Sequence, residues 1–241
     1  MPTYRVRLKA QRELAASTLG FYFEKPSEFA YRGGQFVNLT LVDPPETDAE
    51  GNTRAFTLSS APHENNLMVA TRMRDSAFKR ALSRLAPGTE LKLAGPYGNF
   101  ILSTETSRPA VLLAGGIGVT PFRSMALEAI HRGSARLIFL FYSNRRPEDA
   151  AFLEELTQTG EANPNFRFVP LMTQIEKSNR VWNGPTGRLG VAGLQRRLGS
   201  LDGAEYYLAG PPGFVVALGA ELSAAGIPAQ DIRVDEFDGY N

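Results

Sequence analysis

Cysteine is absent from all 241 residues. That excludes disulfides, thiolate-held zinc, thiol nucleophiles and cysteine-ligated iron–sulfur clusters together. Histidine is nearly as scarce. His63 and His131 are the two present, and neither has a second ligand type nearby in sequence. Both read as surface residues, because histidine chemistry needs a partner that orients the ring. No charge of one sign dominates either: 26 Lys+Arg against 25 Asp+Glu leave a formal +1. That balance gives no general attraction to nucleic acid or to an anionic membrane. Long apolar runs are missing as well. The start, MPTYRVRLKAQREL, carries no apolar signal core, and the apolar run near Val111 is too short and too glycine-rich to span a bilayer. The expectation is a cytoplasmic protein with no membrane span and no metal site. Its 43% hydrophobic content is enough for one large or two small cored domains.

The most informative segment present is AVLLAGGIGVTPFRSM, 110–125. Val111, Leu112, Leu113 and Ala114 do not alternate with polar residues, so they read as a strand buried on both faces, as in a parallel sheet. Thr120 reads as an N-cap and Pro121 as the first helical residue, where the missing N–H costs nothing. Between them, Gly115, Gly116 and Gly118 let an anion approach the backbone and the helix's unpaired N–H groups. The arrangement predicts a phosphate cradle, though not the usual dinucleotide fingerprint, since Pro121 falls where its third glycine would be.

The pattern changes character near Arg108-Pro109. Before it, β-forming segments recur between turn residues at 4–9, 18–23, 35–41, 54–59, 67–72 and 90–94, with Asp43 to Thr53 reading as a solvated hairpin loop. Such spacing predicts an antiparallel barrel or sandwich. After it, strands at 111–114, 137–142, 166–171, 206–209 and 232–234 alternate with helices at 121–132, 147–156, 191–198 and 212–225. That is the pattern of a doubly wound α/β domain with a mostly parallel sheet. The expected division is 1–106 and 107–241.

The first half has its own candidate anion site. In Arg54-Ala55-Phe56-Thr57 the period of two puts Arg54 and Phe56 on one strand face and Thr57 on the other. The arginine suits a phosphate, the aromatic a planar ring, and the hydroxyl a heteroatom at the ring edge. Thr71-Arg72-Met73-Arg74-Asp75-Ser76-Ala77-Phe78 then runs from a strand into an amphipathic helix with Phe78, Leu82 and Leu85 on its buried stripe. Asp75 or Ser76 caps it, and a bound phosphate requires Ser76 and the following amides to face the ligand.

In this order, the segments resemble the ferredoxin–NADP reductase superfamily over nearly the whole chain. RAFTLSS is similar to the family's Arg-x-aromatic-Ser/Thr flavin motif, and RDSAFKRAL with LAPGTELKLAGPYGNF to its flavin-diphosphate helix and closing barrel strand. GGIGVTPF resembles the nicotinamide-dinucleotide diphosphate loop, FYSNRRPEDAAFLEEL the segment around the adenine ribose, and AGPPGFV the Gly-Pro-Pro turn beside the nicotinamide. The resemblance implies an N-terminal antiparallel flavin-binding β-barrel, followed by a doubly wound parallel-sheet nucleotide-binding domain.

It also implies roles. Arg54 would hold the flavin diphosphate, with Ala55, Thr71, Arg72, Ser76, Ala77 and Phe78 as further flavin contacts. Phe56 would pack on one isoalloxazine face, and Thr57 would bond near N5. Gly115, Gly116, Gly118, Thr120 and Pro121 would take the nucleotide diphosphate, and Gly210, Pro211 and Pro212 would form the nicotinamide turn. Phe237 would cover the opposite flavin face as a gate the nicotinamide displaces, with Tyr240 as the alternative, and Asp235 or Glu236 would place a carboxylate near N5. Two positions depart from common family residues: Phe56 lacks a tyrosine hydroxyl, and Ala209 stands where many relatives carry cysteine. At the second α/β strand end, Ser143, Asn144, Arg145 and Arg146 offer no carboxylate for a ribose 2′-hydroxyl, and two arginines and a serine suit a 2′-phosphate, so NADPH is favoured over NADH.

The implied activity is a FAD-dependent NAD(P)H oxidoreductase. It would pass electrons to a separate acceptor: a ferredoxin, flavodoxin, cytochrome, oxygenase component or small molecule. The alternatives are a free-flavin reductase and a non-catalytic flavin-binding electron-transfer or sensor subunit.

Overall fold

The computed structural model describes residues 2–237. Six strands make the first half: β1 (Thr3–Ala15), β2 (Thr18–Glu24), β3 (Phe36–Leu41), β4 (Thr53–Thr57), β5 (Asn66–Arg72) and β6 (Glu90–Tyr97). They pair antiparallel in the order β4-β3-β6-β1-β2-β5. The two edges meet through the Leu58–Val69 bridge and a 2.7 Å bond from Ser59 N–H to the Met68 carbonyl. The sheet therefore closes as a barrel and leaves no long free edge. Alternation drives the closure. Along β3, Val37, Leu39 and Leu41 are buried while Phe36, Asn38 and Thr40 are half-buried. The inward set joins Val6, Phe21, Phe23 and Leu91 in the barrel core. The short helix α1 (Ala77–Ser83) adds Phe78, Ala81 and Leu82 to that core.

The second half is a parallel sheet in the order β11-β10-β7-β8-β9. Its strands are β7 (Ala110–Gly115), β8 (Ile138–Asn144), β9 (Phe166–Met172), β10 (Glu205–Gly210) and β11 (Ile232–Glu236). Every residue of β7 and β10 is buried, as expected for strands covered on both faces. On one face Leu112 and Leu140 pack with Phe122 and Met125 of α2 (Val119–His131) and Leu156 of α3 (Leu153–Ala162). On the other, Val111 and Leu113 pack with Leu194 of α4 (Val191–Leu198) and Val215 and Leu218 of α5 (Pro212–Ala224). This is the doubly wound arrangement the periodicity predicted. Met68 and Ala70 of β5 share a core with α2, so apolar packing continues from barrel to sheet.

Two local expectations change. The helix expected to begin at Pro121 under a Thr120 cap begins at Val119, after a 3-10 turn over Gly116–Gly118. Thr120 is buried inside the first turn, and its hydroxyl donates to the Ile117 carbonyl at 3.1 Å. The left-handed Gly116, at φ +54°, turns the chain back early enough for helical pairing to start ahead of the proline. The helix expected over 147–156 is split into a 3-10 turn at Pro147–Asp149 and α3, with Phe152 left-handed at φ +60° between them. Burial of Ala150, Ala151 and Phe152 in the α2/α3 core draws this stretch inward and out of helical register. Among the described residues, no helix is long and apolar enough to cross a membrane.

Candidate functional site

Two cavities lie along the seam between barrel and sheet, and Ile117 lines both. The first, about 340 Å³, is walled by Phe56 and Thr57 of β4, Ala55, Ala70, Ile117 and Thr120, and by Asp235, Glu236 and Phe237 at the end of β11. Its walls are largely apolar, with the hydroxyl residues Thr57 and Thr120 and the carboxylates Asp235 and Glu236 among the lining. Burial pushes the Asp235 carboxyl up to about 6. Glu236 is exposed, whereas Phe237 packs against the α2 core and ties its N–H to the Gly210 carbonyl at 3.0 Å. Tyr240, the alternative stacking residue, lies outside the described residues.

The second cavity, about 200 Å³, is cationic and glycine-lined. Gly115 and Gly116 form one wall, Ser143, Asn144, Arg145 and Thr173 another, and Pro211 and Phe214 a third. Arg72 and Arg74 reach it from the barrel side. The sequence had placed Arg72 among flavin contacts and gave no role to Arg74 or Thr173. Arg146, by contrast, is engaged by Asp149 at 2.9 Å.

The glycines divide by function. A side chain at Gly116 would point into open space, with nothing within 4 Å, but at a φ of +54° that L residues rarely adopt. At Gly118 a Cβ would stand 2.2 Å from the Ala209 carbonyl oxygen. At Gly118 the absence of a side chain is thus required by backbone packing against β10. At Gly115, which also lines the cavity, a Cβ would stand 2.9 Å from the Phe214 ring. Gly210 packs against Gly115 backbone, and Pro212 opens α5.

On the barrel, of the two cap candidates Asp75 and Ser76 it is Ser76 that caps α1, its hydroxyl accepting from Lys79 N–H at 3.3 Å. Ala77, Phe78 and Thr71 are buried. The 43–53 segment is the hairpin loop expected between β3 and β4 and is largely exposed, but three of its four acids are tied down. Its acids fold onto arginines: Arg54 meets Asp48 at 2.7 Å and Glu50 at 3.0 Å, and Arg80 meets Glu46 at 2.7 Å. The Arg54 guanidinium also lies 5.2 Å from the centroid of the Phe78 ring.

Sequence reasoning missed the groups that fix the seam. Buried Arg123 on α2 donates to the Ser59 carbonyl and to Glu64, both at 2.8 Å from the barrel side, and to Glu155 on α3. Burial alone would raise the Glu64 carboxyl, but the Arg123 hydrogen bonds and charge hold it low. His63 and His131, unpartnered in sequence, stack across the seam with centroids 3.9 Å apart. Below the sheet, buried Glu205 is bonded by Ser103 and Arg136 and meets Arg233 at 3.1 Å. Burial opposes its ionisation, yet these partners hold its carboxyl down at about 2. No sequence spacing marks such groups, because their partners are 28 to 102 positions away.

Residues 112–218 match the oxidoreductase NAD-binding domain family. The chain is 29% identical over 97% of its length to the phenol 2-monooxygenase reductase component of Pseudomonas sp. (strain CF600), of which it spans 65%. It is 28% identical to ferredoxin–NADP reductase B of Sorangium cellulosum, covering 98% of both chains. Among solved structures, a ferredoxin NADP+ reductase from Neisseria gonorrhoeae with bound FAD and NADP shares the fold, with a TM-score of 0.80 at 19% identity over 97% of this chain and 98% of that one. The chain is thus similar to ferredoxin–NADP reductases and oxygenase reductase components, and its second half matches an oxidoreductase NAD-binding domain.

Proposed function

We propose that the chain is a FAD-dependent NAD(P)H oxidoreductase that passes electrons to a separate acceptor. The observation that carries this is the pair of contiguous cavities. An apolar slot edged by hydroxyls and carboxyls adjoins, at Ile117, a cationic pocket floored by an open glycine turn. The slot fits a flat, partly polar ring, and the pocket fits a diphosphate. Residues 1–106 would hold FAD and residues 107–241 the nucleotide.

FAD, when bound, accepts hydride and releases electrons singly; the protein supplies placement and electrostatics. Arg54 binds phosphate. Phe56 and Phe237 bound the slot, Thr57 offers its hydroxyl to the ring edge, and Asp235 holds or releases a proton near neutrality because burial disfavours its charge. Gly116 and the Arg72/Arg74 pair bind the nucleotide diphosphate from opposite sides. Ser143 and Arg145 line the same pocket, and no ion pair engages Arg145 among the described residues, which supports NADPH over NADH. Relatives named as oxygenase reductase components and as a ferredoxin–NADP reductase support an oxygenase component or small redox carrier as acceptor.

The test is an absorption spectrum of the purified protein under argon, before and after NADPH and NADH. A flavin band that bleaches within the mixing time, faster with NADPH, is expected. Protein that neither carries nor takes up flavin would overturn the reading.

A further inference from the structure

We propose that the 43–52 segment is a latch over the flavin-diphosphate site, in which Asp48 and Glu50 stand in for phosphate oxygens on Arg54 until FAD displaces them. The inference rests on the flavin reading above. Arg54 is the cation that reading assigns to phosphate, and its side chain is 18% exposed. Every nitrogen of its guanidinium is engaged by the latch or its flank. Nη2 donates to Asp48 at 2.7 Å and Nε pairs with Glu50 at 3.0 Å. Nη1 donates to the carbonyls of Glu50, Gly51 and Thr53 at 2.9–3.0 Å. A carboxylate presents two oxygens to the guanidinium fork much as a phosphate does, so both anions compete for one cation.

The segment is anchored by a second contact. Glu46 accepts from Arg80 Nε at 3.0 Å and Nη2 at 2.7 Å. From Asp43 to Asn52 the segment carries four acids and no lysine or arginine. A dianionic diphosphate cannot share Arg54 with this charge, so binding requires the acids to leave. Exposed ion pairs alone contribute little. Arg54 differs because it is shielded, lies against Phe78 and is the predicted ligand contact. The fraction of molecules with the latch shut then lowers apparent FAD affinity in proportion.

Full-length protein stripped of flavin and titrated with FAD, followed by quenching of flavin fluorescence, distinguishes a latch from a mere orienting carboxylate. Asp48→Asn should tighten FAD binding by about tenfold, mainly through faster association, because one charge-assisted competitor is lost. Glu50→Gln, whose side chain is more exposed, should tighten it by about threefold. Binding that is unchanged or weaker in Asp48→Asn overturns the latch and makes Asp48 a support for Arg54. On the unmodified protein, FAD should accelerate cleavage after Glu46 and Glu50 by a glutamate-specific protease. Protection by FAD also overturns the proposal. Failure of the flavin reading has a different signature, in which neither the unmodified chain nor either variant takes up FAD.

Discussion

The two halves of this protein prepare for anions in opposite ways. On the barrel, Arg54 is surrounded by the chain's own carboxylates. On the sheet side, the Gly116 turn opens onto unfilled space, with Arg72, Arg74 and Arg145 around it. One site holds a neutralised cation and the other keeps its cationic lining around an open turn. The contrast suits a cofactor that binds once and stays, set against a nucleotide that must enter and leave in every turnover. A closed cation suppresses adventitious anions at the first, while an open basic pocket speeds encounter at the second.

The sharpest way to break the comparison is at the glycines. Gly118→Val should abolish folded protein, since its Cβ would meet the Ala209 carbonyl at 2.2 Å and neither backbone can yield. Gly116→Val meets nothing, so it should fold and keep flavin while reduction by NADPH collapses. Circular dichroism and anaerobic stopped-flow reduction separate the two, and equal behaviour of the variants would dissolve the distinction between a packing glycine and a cradle glycine.

Next in size is Arg54→Ala. Removing a charge-assisted phosphate contact costs on the order of 1.5–3 kcal/mol, roughly ten- to a hundredfold in FAD affinity. Equilibrium dialysis checks it, and retained FAD would move the flavin site away from β4.

Asp235→Asn probes the carboxyl in the slot. The folded-state value, about 6, lies above the unfolded 3.8, so the native state binds the extra proton and stability falls as pH rises from about 4 to 6. The variant should lose that slope and gain up to about 2 kcal/mol at pH 7 relative to the wild type. Urea melts of both proteins at pH 4, 5, 6 and 7 measure this, and a stability difference between variant and wild type that does not change with pH would contradict the burial of this group.

The smallest effect is expected at Arg145. Arg145→Gln should raise the KM for NADPH by about five- to tenfold and leave that for NADH nearly unchanged, because one charged contact to a 2′-phosphate is lost from an exposed position. Equal changes with both nucleotides would assign Arg145 to the diphosphate they share.

Much of this was legible without coordinates. Period-two and continuous apolar runs marked both sheets, Asp75-Ser76 marked the start of α1, and Phe56-Thr57 and Gly115-Gly116 fall on the walls of the two cavities, because these signals are local and repeat within a few residues. What only the tertiary structure decided are contacts between distant segments. They are the closure of Asp48 on Arg54, the reach of Arg74 into the nucleotide pocket and the Glu64–Arg123–Glu155 bridge across the seam. They also include the β10 backbone packed against Gly118 and the inward pull that split the helix expected over 147–156. Local sequence sets a segment's own periodicity and caps, but a charge finds its partner, and a glycine its neighbour, only where folding brings remote chain together.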